Sequence, residues 1–280
     1  MRKILVSFAT EKYLVSQKFL VETARPYFDD HASYRPEFLD SDFRKKYQRI
    51  LSQEKGAGFW IWKPEIIRET LSRLHEGDLL FYVDSGNLII NDPTPLFELC
   101  LQDPRGVLLF DNRDGTPDGS PWKNAEWTKK DCYLRMSCEG ERFVSAPQVN
   151  ASYILVRKTK AASAFMDEYR RWCLTDDLCT DTPSPGGQEL PNFREHRHDQ
   201  SILSLLAARD GILIVRDPSE WGNKVAGRVN PEYGQIFRHH RNHLRAQEDN
   251  WLLRYGARLP PKPSRLQAWA GAIRKLSTKA

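Results

Sequence analysis

The sequence predicts an α/β fold, in which a largely buried sheet is flanked by helices. Short, nearly continuous apolar runs at 4–9, 79–83 and 106–110 are typical of strands that are buried on both faces. Apolar residues also recur at helical spacing over 66–74, so strands and helices alternate along the chain. The second run ends directly at Asp84, and a carboxylate in this position lies where open α/β sheets bind their ligands.

Length and composition are those of a globular protein of the cytoplasm. The 280 residues suffice for one large domain, and no uninterrupted run of 18 apolar residues predicts a transmembrane helix. Five cysteines without a CxxC pair favour reduced thiols and therefore a cytoplasmic location. The net charge of +5 suits a phosphate-bearing ligand or an anionic membrane surface and does not require nucleic acid.

The first 53 residues predict one strand and two helices. The strand at 4–9 is followed by a helix over 13–24, and neither a GxGxxG nor a GxxxxGK[ST] motif lies between them. The polar and aromatic segment 28–42 is predicted to be a loop. A basic helix follows over 43–53, and such a helix more often presents a solvated face than a phosphate site.

Residues 56–91 form the central unit of the prediction. Pro64 marks a helix start, because proline is favoured at the first helical position. The strand at 79–83 then leads into Asp84, and Gly86 allows a sharp turn or a close approach to a ligand. Asp84 therefore either binds a metal ion or a sugar hydroxyl, or only caps the turn that follows a core strand.

The middle of the chain predicts further strands and helices separated by long loops. Helices are expected at 95–101 and 161–173, strands at 106–110 and 152–156, and irregular segments at 111–126 and 175–194. Loops of this length inside a compact domain are often functional. Small and amide side chains directly precede the strand at 152–156, so the backbone there can lie against a ligand.

The last predicted helix carries polar residues in its first turn. Asp199 and Gln200 precede an apolar stretch at 202–206, and a strand is expected at 212–215. A carboxylate at a helix start is favourable on structural grounds alone, so helix capping is the alternative to a chemical role for Asp199. Three of the seven histidines fall within 239–243, as a surface cluster or as metal ligands.

Residues 257–280 predict a basic amphipathic helix that follows a domain spanning 1–256. Its apolar residues fall on one helical face, and basic residues line the remainder. Such a helix either lies on an anionic membrane or packs on its own domain. Peripheral contact with the inner face of the membrane is therefore one expectation.

Four segments, in this order, resemble nucleotide-sugar glycosyltransferases of the GT-A fold. They read Tyr-Val-Asp-Ser-Gly at 82–86, Asn-Ala-Ser at 150–152, His-Asp-Gln-Ser at 198–201 and His-His at 239–240. They are similar to motifs of the retaining galactosyltransferase and glycogenin-like group. The Gly-x-Gly-x-Trp-x-Trp-Lys-Pro stretch at 56–64 also resembles glycosyltransferases from bacterial polysaccharide gene clusters.

The resemblance implies a Rossmann-like mixed sheet flanked by helices and a retaining hexosyl transfer. The donor would be a nucleotide diphosphate-sugar, and the acceptor a glycan or a lipid-linked sugar in surface polysaccharide synthesis. No nucleic acid is expected as a partner. A divalent ion, Mn²⁺ or Mg²⁺, would neutralise the diphosphate as it leaves.

The resemblance also implies roles for individual residues. Asp199 and Gln200 would lie on the reacting face as catalytic residues. The metal ligands would be Asp84 together with His239 or His240. The donor would be bound by residues from several segments: Lys63, Tyr82, Asp84, Ser85, Gly86, Lys129, Gln148, Asn150 and Ser152.

The sequence departs from this family pattern at three places. Gly86 stands where the second acid of a DxD motif is expected, Ser201 stands where an aspartate is expected, and the late histidine lacks its usual neighbours. The enzyme would then hold its metal through one carboxylate, Asp84, together with a histidine. Alternatively, Lys or Arg would take the place of the metal.

Two other classes of function compete with the transferase. A non-catalytic protein that binds a nucleotide-sugar or a carbohydrate draws support from Gly86. A nuclease draws on the basic helix at 43–53, but the sequence lacks a paired-carboxylate metal motif. Hydrolysis of the donor by water would separate the first of these from an enzyme.

Overall fold

The computed structural model describes residues 1–113, 116, 118–185, 187–223 and 232–240. The predicted tail helix at 257–280 and His243 therefore lie outside the described residues. Within them, no helix has the length and apolar character needed to cross a membrane.

Six strands form one central sheet in the order β2-β1-β3-β6-β5-β7. The strand β6 runs antiparallel to its neighbours β3 and β5, and the other neighbouring pairs are parallel. The predicted α/β class with a mixed sheet is therefore confirmed. The six strands are β1 (Lys3–Phe8), β2 (Asp30–Tyr34), β3 (Leu79–Val83), β5 (Val107–Asp111), β6 (Val149–Arg157) and β7 (Leu213–Val215), and a small second sheet pairs β4 (Asn87–Ile89) with β8 (Phe237–His239).

One edge of the sheet collects the polar ends of several strands. Because β6 is antiparallel to β3 and β5, its first residues lie at the same edge as the last residues of β1, β3, β5 and β7. This edge carries Asp84, Asp111 and Asn150. Ligands of open α/β sheets bind at such an edge, so the fold itself indicates where a site should lie.

The helices cover both faces of the sheet. They are α1 (Leu14–Ala24), α2 (Ser41–Lys46), α3 (Gln48–Leu51), α4 (Trp62–Ser72), α5 (Thr94–Gln102), α6 (Asn124–Trp127), α7 (Lys130–Arg135), α8 (Glu141–Val144), α9 (Lys160–Cys173) and α10 (Asp199–Asp210). Side chains of α4, α9 and α10 pack in one core layer, and those of α1 and α5 pack in the other.

The strand residues alternate between these two layers. Leu80 and Tyr82 of β3 belong to the first layer, whereas Phe81 and Val83 belong to the second. Because both faces are covered, β3 has no solvated side and reads as a continuous apolar run. Burying each such side chain contributes roughly 1.5–3 kcal/mol to folding.

Two predictions for the first 53 residues were wrong in detail. The segment predicted as a loop at 28–42 contains β2, a polar strand. It is the outermost strand of the sheet and pairs only with β1. An edge strand needs no continuous apolar run, so the hydrophobic pattern did not reveal it. The basic helix predicted at 43–53 is divided into α2 and α3, because Tyr47 has non-helical backbone angles.

All five cysteines are free thiols and all are buried: Cys100, Cys132, Cys138, Cys173 and Cys179. Burial raises the pKa of Cys138 to about 11 and that of Cys100 to about 12. The prediction of reduced thiols agrees with this arrangement.

Candidate active site

A cavity of about 920 Å³ opens at the polar edge of the sheet. It is lined by the loop after β1, the segment 53–63, the turn after β3, the start of β6 and the first residues of α10. Its volume lies in the range of about 300–1,000 Å³ that is usual for small-molecule sites. Three of the four segments that resemble glycosyltransferase motifs supply side chains to this wall from their strand or helix ends, and the fourth supplies His239 and His240.

Lys63 lies between two carboxylates in the cavity wall. Its ammonium nitrogen is 3.0 Å from Asp199 Oδ2 and 3.6 Å from Asp84 Oδ1, and it donates a hydrogen bond of 3.0 Å to the carbonyl of Ala151. The Lys63 side chain is only 3% exposed. Burial lowers the pKa of this ammonium, but Asp199 and Asp84 outweigh burial and place the pKa above its ordinary value. A buried positive charge is thus fixed beside both acids.

Two buried tyrosines hold the same carboxylates from behind. Tyr82 donates a hydrogen bond of 2.5 Å to Asp84 Oδ1, and Tyr169 donates one of 3.0 Å to Asp199 Oδ2. Burial, and then the neighbouring carboxylate, raises the pKa of each phenol well above its usual range. Both hydroxyls therefore remain protonated donors and restrict the orientation of the acids.

The geometry distinguishes the two interpretations of Asp199. It is the first residue of α10, but the residue in the capping position is His198, and its side chain makes no capping hydrogen bond. The polar contacts of the Asp199 carboxylate run to Lys63 and Tyr169. Asp199 is therefore part of the charged cluster and not a helix cap.

The chain just before α4 forms a left-handed turn. Five consecutive residues at 56–60 have positive φ values of 60°, 50°, 98°, 52° and 59°. The amide of Phe59 donates to the carbonyl of Lys55 at 2.8 Å, so the turn closes as a helix of reversed hand. Each non-glycine residue in this conformation costs about 1–2 kcal/mol. Such strain persists only where surrounding contacts enforce it, and it is often found at functional sites.

His198 is a second strained residue and packs against this turn. It has a φ of 53° and is buried, and its ring lies 5.2 Å from the ring of Phe59 and 5.3 Å from that of Trp60. Its Nε2 is 2.8 Å from Asp181 Oδ1. Burial lowers the pKa of His198 to about 4, although Asp181 opposes this shift. The neutral ring therefore joins the left-handed turn to the residue that precedes Asp199.

A chain of amide side chains supports the start of β6. Gln200 accepts from the amide of Ala151 at 3.3 Å and donates to Gln148 at 3.2 Å. Asn150 donates to the buried Asp217 at 2.9 Å and accepts from the amide of Ser152 at 3.0 Å. Both polar side-chain atoms of Gln200 and of Asn150 are thus held by protein partners, which fixes the orientation of the two amides.

The two predicted histidine ligands both reach the cavity. The Nδ1 of His239 lies 3.4 Å from a Glu220 carboxylate oxygen, and its Nε2 lies 3.4 Å from the Tyr153 hydroxyl. The backbone amide of His240 donates to the carbonyl of Gly86 at 2.8 Å. A carboxylate behind an imidazole is the usual support of a metal-binding histidine, so His239 is the better placed of the two.

A divalent ion would fit this site only if the bound substrate supplied some of its coordinating atoms. Across the part of the chain that the structure describes, no group of three or more His, Cys, Asp or Glu side chains could hold a metal. Asp84 and His239 line the same cavity and offer an oxygen and a nitrogen ligand. Phosphate oxygens and water would have to complete the coordination.

Some residues predicted to bind the donor lie behind the cavity wall. Tyr82 and Gln148 are fully buried and act through Asp84 and Gln200. Lys129 is also buried, and its ammonium donates to the carbonyls of Asp177, Thr180 and Thr182 at 2.8–3.1 Å. Lys129 therefore stabilises a loop, and the prediction that it pairs with phosphate is not supported by its position.

Several residues of the site were missed by the sequence analysis. Trp122 lines the cavity from a loop and Trp221 from the short 3-10 helix Glu220–Gly222. Glu220 and Asp217 support His239 and Asn150. Their partners come from distant segments, so no local spacing points to them. For Trp122 and Trp221, the one available signal is the abundance of tryptophan, with eight in the chain.

The comparisons with known proteins give matches among solved structures alone. No protein-family model and no curated protein matches the chain. Among solved structures, it is similar to a glycosyltransferase involved in glycosylation of the PBCV-1 major capsid, at 12% identity and a TM-score of 0.46 over 89% of this chain and 98% of the other. It is also similar to mouse xyloside xylosyltransferase 1, at 9% identity and a TM-score of 0.43 over 86% of this chain and 98% of the other.

A third similar structure is the galactosyltransferase LgtC in complex with donor and acceptor sugar analogues. The identity is 11% and the TM-score 0.41, over 96% of this chain and 99% of the other.

Proposed function

We propose that this protein is a glycosyltransferase that moves a hexosyl group from a nucleotide diphosphate-sugar to a hydroxyl of a glycan or lipid-linked acceptor. The observation that carries the proposal is the Asp84–Lys63–Asp199 cluster at the ligand-binding edge of the sheet. The cluster lines the cavity of about 920 Å³. The order of the four sequence motifs supports the same function.

The donor diphosphate would lie over the turn after β3. Asp84, Ser85 and Gly86 face the cavity together, and an added Cβ at Gly86 would meet no described atom closer than 3.7 Å. Asn150 and Ser152 would contact hydroxyls of the donor sugar, with Asp217 holding the Asn150 amide. Lys63 serves as the fixed counter-charge of both acids, because its hydrogens already point to protein oxygens.

The reacting face would be formed by Asp199 and Gln200. In the transfer, the bond between the anomeric carbon and the diphosphate oxygen breaks, and the acceptor oxygen bonds to that carbon. The acceptor proton leaves with the diphosphate. An amide oxygen of Gln200 and the Asp199 carboxylate would stabilise the positive charge that develops at the anomeric carbon. Retention of configuration is proposed from the motif resemblance.

A divalent ion would be held by Asp84 and His239, with Glu220 fixing the imidazole. When bound, Mn²⁺ or Mg²⁺ supplies charge neutralisation for the leaving diphosphate. The remaining residues of the site would bind and orient the two substrates.

The proposal is tested by ligand stabilisation and by donor hydrolysis. Melting curves are recorded with UDP-, GDP-, dTDP- and CMP-sugars, each with Mn²⁺ or with EDTA. A ligand at 100 times its dissociation constant adds about 2.7 kcal/mol to the free energy of unfolding. We expect one of the three diphosphate classes, and not the CMP-sugar, to raise the melting temperature. EDTA should remove the shift, and water should hydrolyse the same donor slowly.

The other outcomes are equally informative. A shift that survives EDTA would retain the transferase and overturn the metal assignment to Asp84 and His239. A shift without any hydrolysis or transfer would favour the non-catalytic binding protein, for which Gly86 is the sequence evidence. The absence of any shift with all four classes would contradict the proposed donor.

Contact with the inner face of the membrane remains a prediction for the tail at 257–280. We expect the full chain to float with liposomes that contain anionic lipid, and a variant without 257–280 to remain below. Equal flotation of the two would remove the membrane role of the tail.

A further inference from the structure

The cavity has two ends, set by the order of the strands. The loop after β1 contributes Thr10 and Tyr13 at one end, and the segment after β5 contributes Asn112 and Trp122 at the other. Three strand spacings separate β1 from β5, which amounts to roughly 14 Å. Asp84, at the end of β3, lies between them, so a donor over the β1 and β3 ends leaves the β5 end to the second substrate.

Trp122 is rigidly held at this second end. Its backbone amide donates to the carbonyl of Asn112 at 2.7 Å, and its carbonyl accepts from the amide of Gln148 at 2.8 Å. Its indole stacks on that of Trp127, with a centroid distance of 4.0 Å and an interplanar angle of 17°. Trp127 is buried, whereas Trp122 is half-buried and lines the cavity. The backed ring is therefore a fixed aromatic wall.

Arg197 lies beside this pair of rings. Its guanidinium carbon is 5.0 Å from the Trp122 centroid and 4.6 Å from the Trp127 centroid. Because these distances are similar while the rings are 4.0 Å apart, the guanidinium lies at the side of the stack and not over the outer face of either ring. Arg197 thus places hydrogen-bond donors at the margin of the aromatic wall.

We propose that Trp122 and Arg197 form the acceptor subsite, and that the acceptor is a neutral pyranose ring of a glycan. This inference rests on the proposed transferase function. The apolar C–H face of the sugar would lie on the Trp122 indole, and its hydroxyls would accept from Arg197. Ligand sites combine such aromatic walls with a few placed polar groups. The acceptor hydroxyl oxygen bonds to the anomeric carbon, the donor phosphate bond breaks, and the proton leaves with the diphosphate.

The charges at this end favour a neutral acceptor over an anionic one. Glu195 lies 3.6 Å from Arg197 and 3.1 Å from Lys55, and Lys55 also lies 3.1 Å from Asp181. Two positive and two negative side chains therefore balance one another. A carboxylated or phosphorylated sugar would have to compete with Glu195 for Arg197.

The test separates the two substrates. The donor identified by the melting experiment is incubated with a panel of octyl hexopyranosides, neutral and uronic, and products are measured by mass spectrometry. Trp122→Ala should raise the KM for the neutral glycoside by roughly tenfold or more, as expected for loss of a main aromatic contact. The donor-induced melting shift, which reports donor binding alone, should be unchanged. Trp122→Phe keeps an aromatic face and should restore much of the glycoside KM.

Trp172→Ala is the matched control. Trp172 is half-buried, lies on α9 against Arg171 and does not line the cavity. The KM of the variant for the glycoside should therefore equal that of the wild type. An unchanged KM in Trp122→Ala, or wild-type transfer to uronic but to no neutral glycosides, would overturn the acceptor subsite. Donor hydrolysis without transfer to any glycoside would overturn it too. If the wild type neither hydrolysed the donor nor transferred its sugar, the proposed function itself would be overturned.

Discussion

At the scale of single residues, Lys63 joins parts of the site that are distant in sequence. It lies in the first turn of α4, and its ammonium reaches Asp84 after β3 and Asp199 at the start of α10. Three elements thus converge on one buried charge. Removing that charge would leave Asp199 buried without a counter-ion, which is far more costly than losing an exposed ion pair.

Lys63→Met should therefore destabilise the fold. We expect a loss of about 3–5 kcal/mol in the free energy of unfolding, measured with urea. Lys55→Met is the control, because Lys55 forms exposed ion pairs with Asp181 and Glu195 that contribute about 0–1 kcal/mol. Equal losses in the two variants would contradict the structural role of the Lys63 charge.

Asp84→Asn tests the chemistry at the end of β3. The amide retains the size of the carboxylate and can still accept from Tyr82, so the melting temperature should change little. Turnover of the donor should fall by about 10²-fold or more, the usual cost of removing one electrostatic contact to the transition state. Asp167→Asn, at an exposed ion pair with Arg68, should behave as the wild type. Near-normal turnover in Asp84→Asn would remove Asp84 from the site.

At the scale of elements, the left-handed turn at 56–60 shapes the cavity wall before α4. Its two glycine positions leave no room for a larger residue. A Cβ at Gly58 would lie 2.7 Å from Leu51 Cα, and one at Gly56 would lie 2.4 Å from the Trp60 ring. The other three residues adopt the reversed hand against their preference. Contacts of Phe59 and Trp60 with His198 compensate for part of this strain.

This reversed hand predicts an unusual response to glycine. Ala57 has a φ of 50°, so Ala57→Gly should stabilise the protein by about 0.5–1 kcal/mol, since relief of left-handed strain exceeds the added entropy of the unfolded chain. Ala164→Gly, at an exposed position of the right-handed α9, should destabilise it by about 0.5–1 kcal/mol. Urea unfolding measures both. The same sign in both variants would contradict the left-handed turn.

The elements also show what the sequence could and could not predict. The strand at 79–83 was predicted with its observed bounds, because burial on both faces leaves a continuous apolar run. The edge strand β2 and the turn at 56–60 were missed, since pairing with β1 and packing on His198 determine them, and neither leaves a periodic pattern. Asp84 and Asp199 were found through motifs, whereas Trp122 and Glu220 depend on contacts between distant loops.

At the scale of the whole molecule, stability should depend on pH through a buried histidine pair. The pKa of His198 is about 4 in the folded protein against about 6.5 when unfolded, and burial also lowers the pKa of His196. The unfolded chain binds more protons between these values, so stability is full above pH 6.5 and falls as the pH drops toward 4.

We expect His198 alone to cost about 2 kcal/mol of stability between pH 7 and pH 5. Asp181, Lys55, Glu195 and His196 surround this ring, so the comparison is made against His198→Asn, a residue that tolerates a positive φ. The variant should lose less stability over this range than the wild type. A parallel pH dependence in urea unfolding would rule out His198 as its source.

Because every cysteine is buried, the rate at which its thiol reacts would report how often the surrounding part of the fold opens. Thiol reagents attack thiolates, and all five sulfur atoms are shielded from solvent while the fold is intact. A small reagent can therefore label the protein only as fast as segments of it open. Cys100 lies in the core layer of α1 and α5, and Cys173 in that of α4, α9 and α10, so the order of labelling would show which side of the sheet separates first.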